Sequence, residues 1–394
     1  MPNRNEPIEQ ERELPPASSS PRPAVARRSG TPATRITLVI ALILLVIAGV
    51  TIGASLVLKN NNTVTNLPTT TAGNASGGSL AANANGTASF IDQPGGTGHS
   101  NALKLAINGL KAPPSGSRYD AWLVNTANNQ SIALGTLSAQ GQTYTLNYTG
   151  DNTNLLGEGN QIEITMEQGS ANSPSGTALL TGAFPAHAFV YIRHLLVGYS
   201  GAPHNTGLLV GLYDQARALN SVAQQLPHFA GQQNAAAMQC LAQSMLDIIE
   251  GKTGAHYSPL SAACAGLHIT NAGDGYGLLG NNGYVSLAST QISLAADQSD
   301  ATINIQVHRR HVGYALDDMH GWLTTLDQDA LHLLASPGAT SGIPAIVTLA
   351  DHDLHGVDLN HDGSIDYVPG EAGATIAYIH GQYMASLVLA PPPS

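Results

Sequence analysis

Ile36–Leu58 reads ITLVIALILLVIAGVTIGASLVL, 23 residues without a charge, bracketed by Arg35 and Lys59. At about 1.5 Å per residue, a helix of that length reaches roughly 34 Å, enough for the hydrocarbon core of a bilayer. The run separates residues 1–35 from residues 59–394. Basic residues are weighted to the short side: Arg22, Arg27, Arg28 and Arg35 precede the run, and only Lys59 lies close behind it. The positive-inside rule then places the N-terminus in the cytoplasm and the bulk of the chain outside. A secretory signal peptide would carry an apolar region of about 7–15 residues, so this longer run reads as an uncleaved single-pass anchor.

Composition narrows what the outer part does. The net charge is −11 and 10% of residues are charged, which argues against a nucleic-acid partner. Cys240 and Cys264, the only cysteines, both lie beyond the run. An even pair in an oxidising compartment suggests a disulfide worth about 3 kcal/mol, the alternative being two buried free thiols.

Residues 1–35 are rich in Pro, Ser, Glu and Arg and poor in large apolar residues, so they read as a disordered cytoplasmic tail. Residues 59–86 are of low complexity (NNNTVTNLPTTTAGNASGGSLAANANG over 60–86) and read as a flexible spacer. Over 87–184, short alternating runs at 102–107, 119–124, 131–137, 143–148, 161–166 and 178–181 are separated by turn residues, as in a small antiparallel β-sandwich. From about Ala186 the apolar period becomes helical: Leu195 onward, 207–225, 233–250, 284–297, 301–334 and a last helix over 372–389. Val312, Ala315, Met319, Trp322, Leu326 and Leu333 form one stripe on the longest of these. The fold class is thus a multidomain α+β membrane protein: one N-terminal transmembrane helix (36–58), an antiparallel β-sandwich (87–184) and an all-α helical bundle (185–394).

The strongest local motif is DLNHDGSID, residues 358–366. Asp358, Asn360 and Asp362 alternate and Gly363 permits a sharp turn, which gathers side-chain oxygens on one concave face as in an EF-hand. Ser364 would add its backbone carbonyl, and Asp366 would ligate directly or through water. The twelfth position is Pro369, which has no ligand, and Glu371 two residues on is the nearest replacement acid. These residues are the expected ligands of a structural calcium ion. The alternative is an ion-free turn.

All fifteen histidines lie at or after His99. His308 and His311 continue the apolar stripe of the long helix, and His187, His194 and His380 fall on other helices. If they converge, they could ligate zinc, iron or haem. Otherwise they are buried histidines bonded to backbone or acids such as Asp317. Two patterns are discounted. Gly275, Gly277 and Gly280 fit GxGxxG but follow no strand, and Gly198–Ala202 around Ser200 is one residue short of a nucleophile elbow. No catalytic constellation stands out, and the chain does not read as an enzyme.

The β-rich segment resembles the extracytoplasmic C-terminal domain of anti-sigma factors of the anti-sigma-K (RskA) type. The resemblance is carried by YDAWLV (119–124), the short strand ending at Gly135, ITMEQGSANSPSG (164–176) and LLTG (179–182). Trp122 would anchor the core, while Gly169, Pro174 and Gly176 shape an edge turn. In that family an outer domain receives or transmits a signal across the span, and a cytoplasmic domain releases a sigma factor. Residues 1–35 contain no His and no Cys, and are too few to fold alone. Here the resemblance implies a membrane-anchored extracytoplasmic regulator or sensor that lacks a folded sigma-binding domain. A sigma factor or other cytoplasmic regulator could still be met by the tail folding on it. Two other readings are a cell-envelope binding or structural module with a calcium-stabilised helical domain, and a metal- or haem-binding protein using the bundle histidines.

Overall fold

The computed structural model describes residues 65–66 and 78–393. The expected tail, the apolar run and most of the spacer lie outside the described residues. Among the described residues no helix is long and apolar enough to cross a membrane. Ordered structure begins before residue 87: Gly78–Ala81 is a short helix (α1), and the first long strand starts at Asn85 within the expected spacer.

The strands are β1 (Thr65–Asn66), β2 (Asn85–Ile91), β3 (Ala102–Asn108), β4 (Ser117–Asn125), β5 (Gln130–Thr136), β6 (Ser138–Gln140), β7 (Thr143–Thr149), β8 (Gln161–Gln168), β9 (Ala178–Ala183) and β10 (Leu387–Leu389). They form two five-stranded sheets, ordered β1-β5-β4-β8-β9 and β10-β2-β3-β7-β6, with antiparallel pairing throughout. In β3, Leu103, Leu105 and Ile107 are buried while Lys104 is exposed, the period-two alternation of a sheet with one face on a core. The Tyr119 ring of β4 meets Tyr144 of β7 edge-on at 5.2 Å, which marks the inner space of the sandwich.

Trp122 does not join that inner core. Its neighbours Ala121 and Leu123 point inward, so the pleat turns it to the opposite face of the sheet, where it is buried beside Thr165. Its Nε1 donates to Thr165 Oγ1 at 2.8 Å, and that hydroxyl donates to Glu167 Oε1 at 2.6 Å. Glu167 also accepts from the backbone N–H groups of Ser175 and Gly176 and from Ser175 Oγ. Gly176 is required there: a Cβ would lie 1.9 Å from the Met166 carbonyl oxygen. The strand-ending acid and the Pro-x-Gly turn are therefore one hydrogen-bonded device.

The remaining helices are α2 (Leu155–Glu158), α3 (Ala188–Leu196), α4 (Leu208–Ala223), α5 (Leu226–Gly231), α6 (Ala235–Glu250), α7 (Ala262–Gly266), α8 (Tyr284–Ala296), α9 (Ile303–Ala335), α10 (Ile343–His355) and α11 (Ala374–Met384). Thr302 caps α9 by accepting from Ile305 N, and Asn234 caps α6 by accepting from Ala237 N. Val312, Ala315, Met319, Leu326 and Leu333 of α9 are buried, and half-buried Trp322 packs its ring on His352 of α10. The last helix is shorter than its apolar pattern suggests. It stops at Met384, the chain turns at Ala385–Ser386, and Leu387–Leu389 pairs with β2 as an edge strand. Leu387 and Leu389 are buried and Val388 is 72% exposed, so the period is two and not 3.6.

Two loops share one plan. α6 and α10 each end on a glycine of positive φ, Gly251 (68°) and Gly356 (89°). In each, the next residue donates to a carbonyl at the far end of the loop: Lys252 N to Gly275 O, and Val357 N to Glu371 O, both 2.9 Å. The first loop holds Cys264, which is bonded to Cys240 of α6. Gly275 and Gly277 of the discounted GxGxxG pattern lie at its far end, where a Cβ on Gly277 would meet the Glu250 carbonyl at 2.6 Å.

Sandwich and bundle pack directly on each other. Phe184, after β9, stacks on Phe189 of α3 at 3.8 Å and touches Phe90 of β2 at 5.6 Å. Arg193 of α3 donates to the carbonyls of Leu156 and Gly159. On the other side, Asp92 accepts from Ser100 N (2.7 Å), Tyr378 Oη (2.8 Å) and Gln382 Nε2 (2.6 Å), which ties the β2–β3 loop to α11. His99 completes this junction: its Nδ1 lies 3.0 Å from Tyr378 Oη, and its Nε2 lies 3.8 Å from Asp214 of α4.

Candidate metal centre

α9 carries His308 and His311 three residues apart, so both project from one side of the helix. α11 packs along α9 and brings His380 onto that side. The Nδ1 of His380 lies 2.9 Å from Nδ1 of His308 and 3.0 Å from Nδ1 of His311. One ligand atom from each of the three lies within 4.8 Å of the others. His380 is buried, at 6% exposure, and the other two are half-buried.

Burial is the first cause lowering the pKa of all three rings. The pKa of His380 falls to about 4, first through desolvation and then through His308 and His311. Burial also lowers His308, with His311 adding to the effect, and it lowers His311, with Arg310 adding. Neutral imidazole is the form that binds metals. Two tyrosines wall the cluster. The Tyr367 ring lies 4.2 Å from that of His311 and 4.7 Å from that of His380, and Tyr383 lies 5.3 Å from both His308 and His380.

His187 and His194 stand apart from this cluster. The His187 backbone N–H donates to Asp300, which caps the start of α3, and His194 Nδ1 lies 2.8 Å from Gln291 Oε1. Ser200 lies in the loop after α3.

The loop 358–371 lies directly before α11. Asp358 accepts from Asp362 N and Gly363 N, Asn360 Oδ1 accepts from Asp362 N at 2.9 Å, and Asp362 Oδ1 accepts from Ser364 N at 2.9 Å. Gly363 has φ 94°. Glu371 is 3% exposed, and its Oε2 accepts from Asp366 N at 3.1 Å. Asp318 of α9 accepts from Gly370 N and Ala372 N, which fixes the end of the loop on the long helix. Tyr367 follows Asp366 in the same loop, so the acidic segment and the histidine cluster are neighbours. Sequence reading missed Tyr367 and Tyr383, because an aromatic residue carries no metal-ligand spacing. It also missed the junction residues Asp92, His99 and Asp214, which come from three distant segments.

The described fold is therefore a two-sheet sandwich joined to a helical unit that holds a three-histidine cluster. Residues 36–178 match the family described as anti-sigma-K factor rskA, C-terminal. The match starts at the first residue of the apolar run and ends at the first residue of β9, a little over a third of the chain, and it supports a regulatory, anti-sigma-like role. No curated protein and no solved structure matches.

Proposed function

We propose that the chain is a single-pass membrane-anchored regulator. In this reading its sandwich and bundle lie outside the cytoplasm, and its N-terminal tail meets a sigma factor or another regulator inside. One observation carries it: a single continuous family match, 36–178, takes in the apolar run and strands β1–β8 of the sandwich. An anchor of that length with basic residues on its short side orients the chain as described. The Cys240–Cys264 bond sits in the part that this topology exposes to an oxidising compartment. The role is regulatory and not enzymatic. Deleting residues 1–34 while retaining Arg35, with added basic residues to hold topology, tests it. The reading requires a changed transcription profile and fails if the profile is unchanged.

The loop geometry favours a second, additional reading: a structural calcium ion held by Asp358, Asn360, Asp362, the Ser364 carbonyl, Asp366 and Glu371. The side chains at 358, 360 and 362 already fold the turn around Gly363, and buried Glu371 turns back into the loop. The sister loop after α6 has a disulfide to hold it, whereas this one has no covalent closure. A weak site, of roughly 10⁻⁴–10⁻³ M, would be filled outside a cell. Thermal unfolding with and without millimolar Ca²⁺ decides. A higher midpoint in the wild type that is abolished in Asp362→Ala is expected, and equal midpoints would remove the ion.

A further inference from the structure

We propose that His308, His311 and His380 bind one divalent transition-metal ion of the imidazole-preferring class, zinc foremost, at a site that keeps a coordination position open to solvent. The inference stands apart from the anti-sigma-like reading, because it concerns only side chains of α9, α11 and the loop between α10 and α11.

The geometry is that of a ligand face. For an ion about 2.0–2.1 Å from each nitrogen, neighbouring donors are separated by roughly 2.9 Å in octahedral and 3.4 Å in tetrahedral coordination. Two of the Nδ1–Nδ1 separations are 2.9 and 3.0 Å, and one ring nitrogen from each of the three histidines lies within 4.8 Å of the others. Metal sites in helical bundles are built from side chains on facing helices, including pairs three residues apart on one helix, and His308, His311 and His380 share that placement.

Hydrogen-bond accounting points the same way. A neutral Nδ1 offers either one proton or one lone pair. His380 Nδ1 faces two other Nδ1 atoms, so it could give its single proton to only one of them well, or accept from only one. Among the described residues no carboxylate bonds to any of the three rings, so no acid is placed to hold an imidazolium there. A cation satisfies three lone pairs at once.

The donor set selects the ion. Three neutral nitrogens without an oxygen ligand suit Zn²⁺, Co²⁺, Ni²⁺ or Cu²⁺ and disfavour Mg²⁺ and Ca²⁺, which require oxygen. The cluster is therefore chemically distinct from the acidic loop beside it. Three protein ligands leave at least one position free, as in zinc sites that bind an exchangeable water. The two aromatic walls are 47% (Tyr367) and 37% (Tyr383) exposed, so the cluster lies near the protein surface. Tyr367 belongs to the 358–371 loop, so the loop supplies one wall of the histidine site.

The test uses the full-length chain in detergent, stripped with a chelator and re-equilibrated with Zn²⁺ or Co²⁺. Bound metal is measured by elemental analysis after gel filtration. We expect one zinc per chain, visible d–d absorption with Co²⁺, and at least about a tenfold loss of affinity in His380→Ala. His308→Gln/His311→Gln, altered at half-buried positions, should lose the metal while retaining wild-type circular dichroism, and it decides the matter if His380→Ala does not fold. Asp362→Ala should keep its zinc. Less than about 0.1 equivalent bound to the wild type at about 100 µM free Zn²⁺ overturns the proposal. So does stoichiometric binding that persists in the double glutamine variant.

Discussion

His99 joins the sandwich to the bundle through charge, and His99→Gln should therefore make the fold less sensitive to alkaline pH. Contact with Asp214 first, then with Asp92, outweighs burial and raises the His99 pKa from an ordinary 6.5 to about 9. A base whose folded pKa exceeds its unfolded one stabilises the fold fully below the unfolded value. That stability is lost as pH rises through the folded value, here between 6.5 and about 9. Unscreened, a shift of this size corresponds to about 3 kcal/mol. The Asp214 side chain is 43% exposed and that of His99 25%, and the nearest Asp214 oxygen lies 3.8 Å away. Solvent screening reduces the expected contribution to about 1–2 kcal/mol. Urea unfolding at about pH 6 and pH 9, run in parallel on wild type and His99→Gln, isolates it because other titrations cancel between the two proteins. The wild type should lose about 1–2 kcal/mol more than the variant over that interval. Parallel pH profiles would refute the ion-pair account of the junction.

Glu167→Ala should destabilise the sandwich by about 2–3 kcal/mol in chemical unfolding, since it strands the N–H groups of Ser175 and Gly176 and the Thr165 hydroxyl. Burial opposes the Glu167 charge, but hydrogen bonds from Ser175, Thr165 and Gly176 outweigh it and hold the pKa low, so this contribution should vanish in the wild type at acid pH. Cys240→Ser with Cys264→Ser opens a loop spanning a separation of 24 residues and should cost about 3 kcal/mol by the same measurement. Gly356→Ala places a Cβ 2.2 Å from the Glu371 carbonyl at φ 89°, and should lower the thermal midpoint by several degrees, as should any other side chain there.

Strands of the sandwich were readable because alternation is local: Lys104 between Leu103 and Leu105 needs no partner to be understood. The placement of Trp122 was not, because a large apolar residue in a central strand reads as core whichever face it takes, and its inward-facing neighbours Ala121 and Leu123 and its bond to Thr165 show the outer one. Leu387–Leu389 was absorbed into a helix because three residues are too few to display a period, and the strand exists only by pairing with β2 across 300 residues of chain. The histidine cluster was half legible. The spacing of His308 and His311 placed them on one side of a helix. That His380 would meet them, and that His187 and His194 would not, depends on how α3, α9 and α11 pack.

The central claim is that the N-terminal segment carries the regulatory contact. A crosslinked pull-down from membranes tests it most directly, comparing the full-length chain with one lacking residues 1–34, topology preserved by Arg35 and added basic residues. The account predicts a sigma factor or other transcriptional regulator recovered with the intact chain and lost with the truncated one. Identical partners from both would contradict it and place the function wholly in the sandwich and bundle.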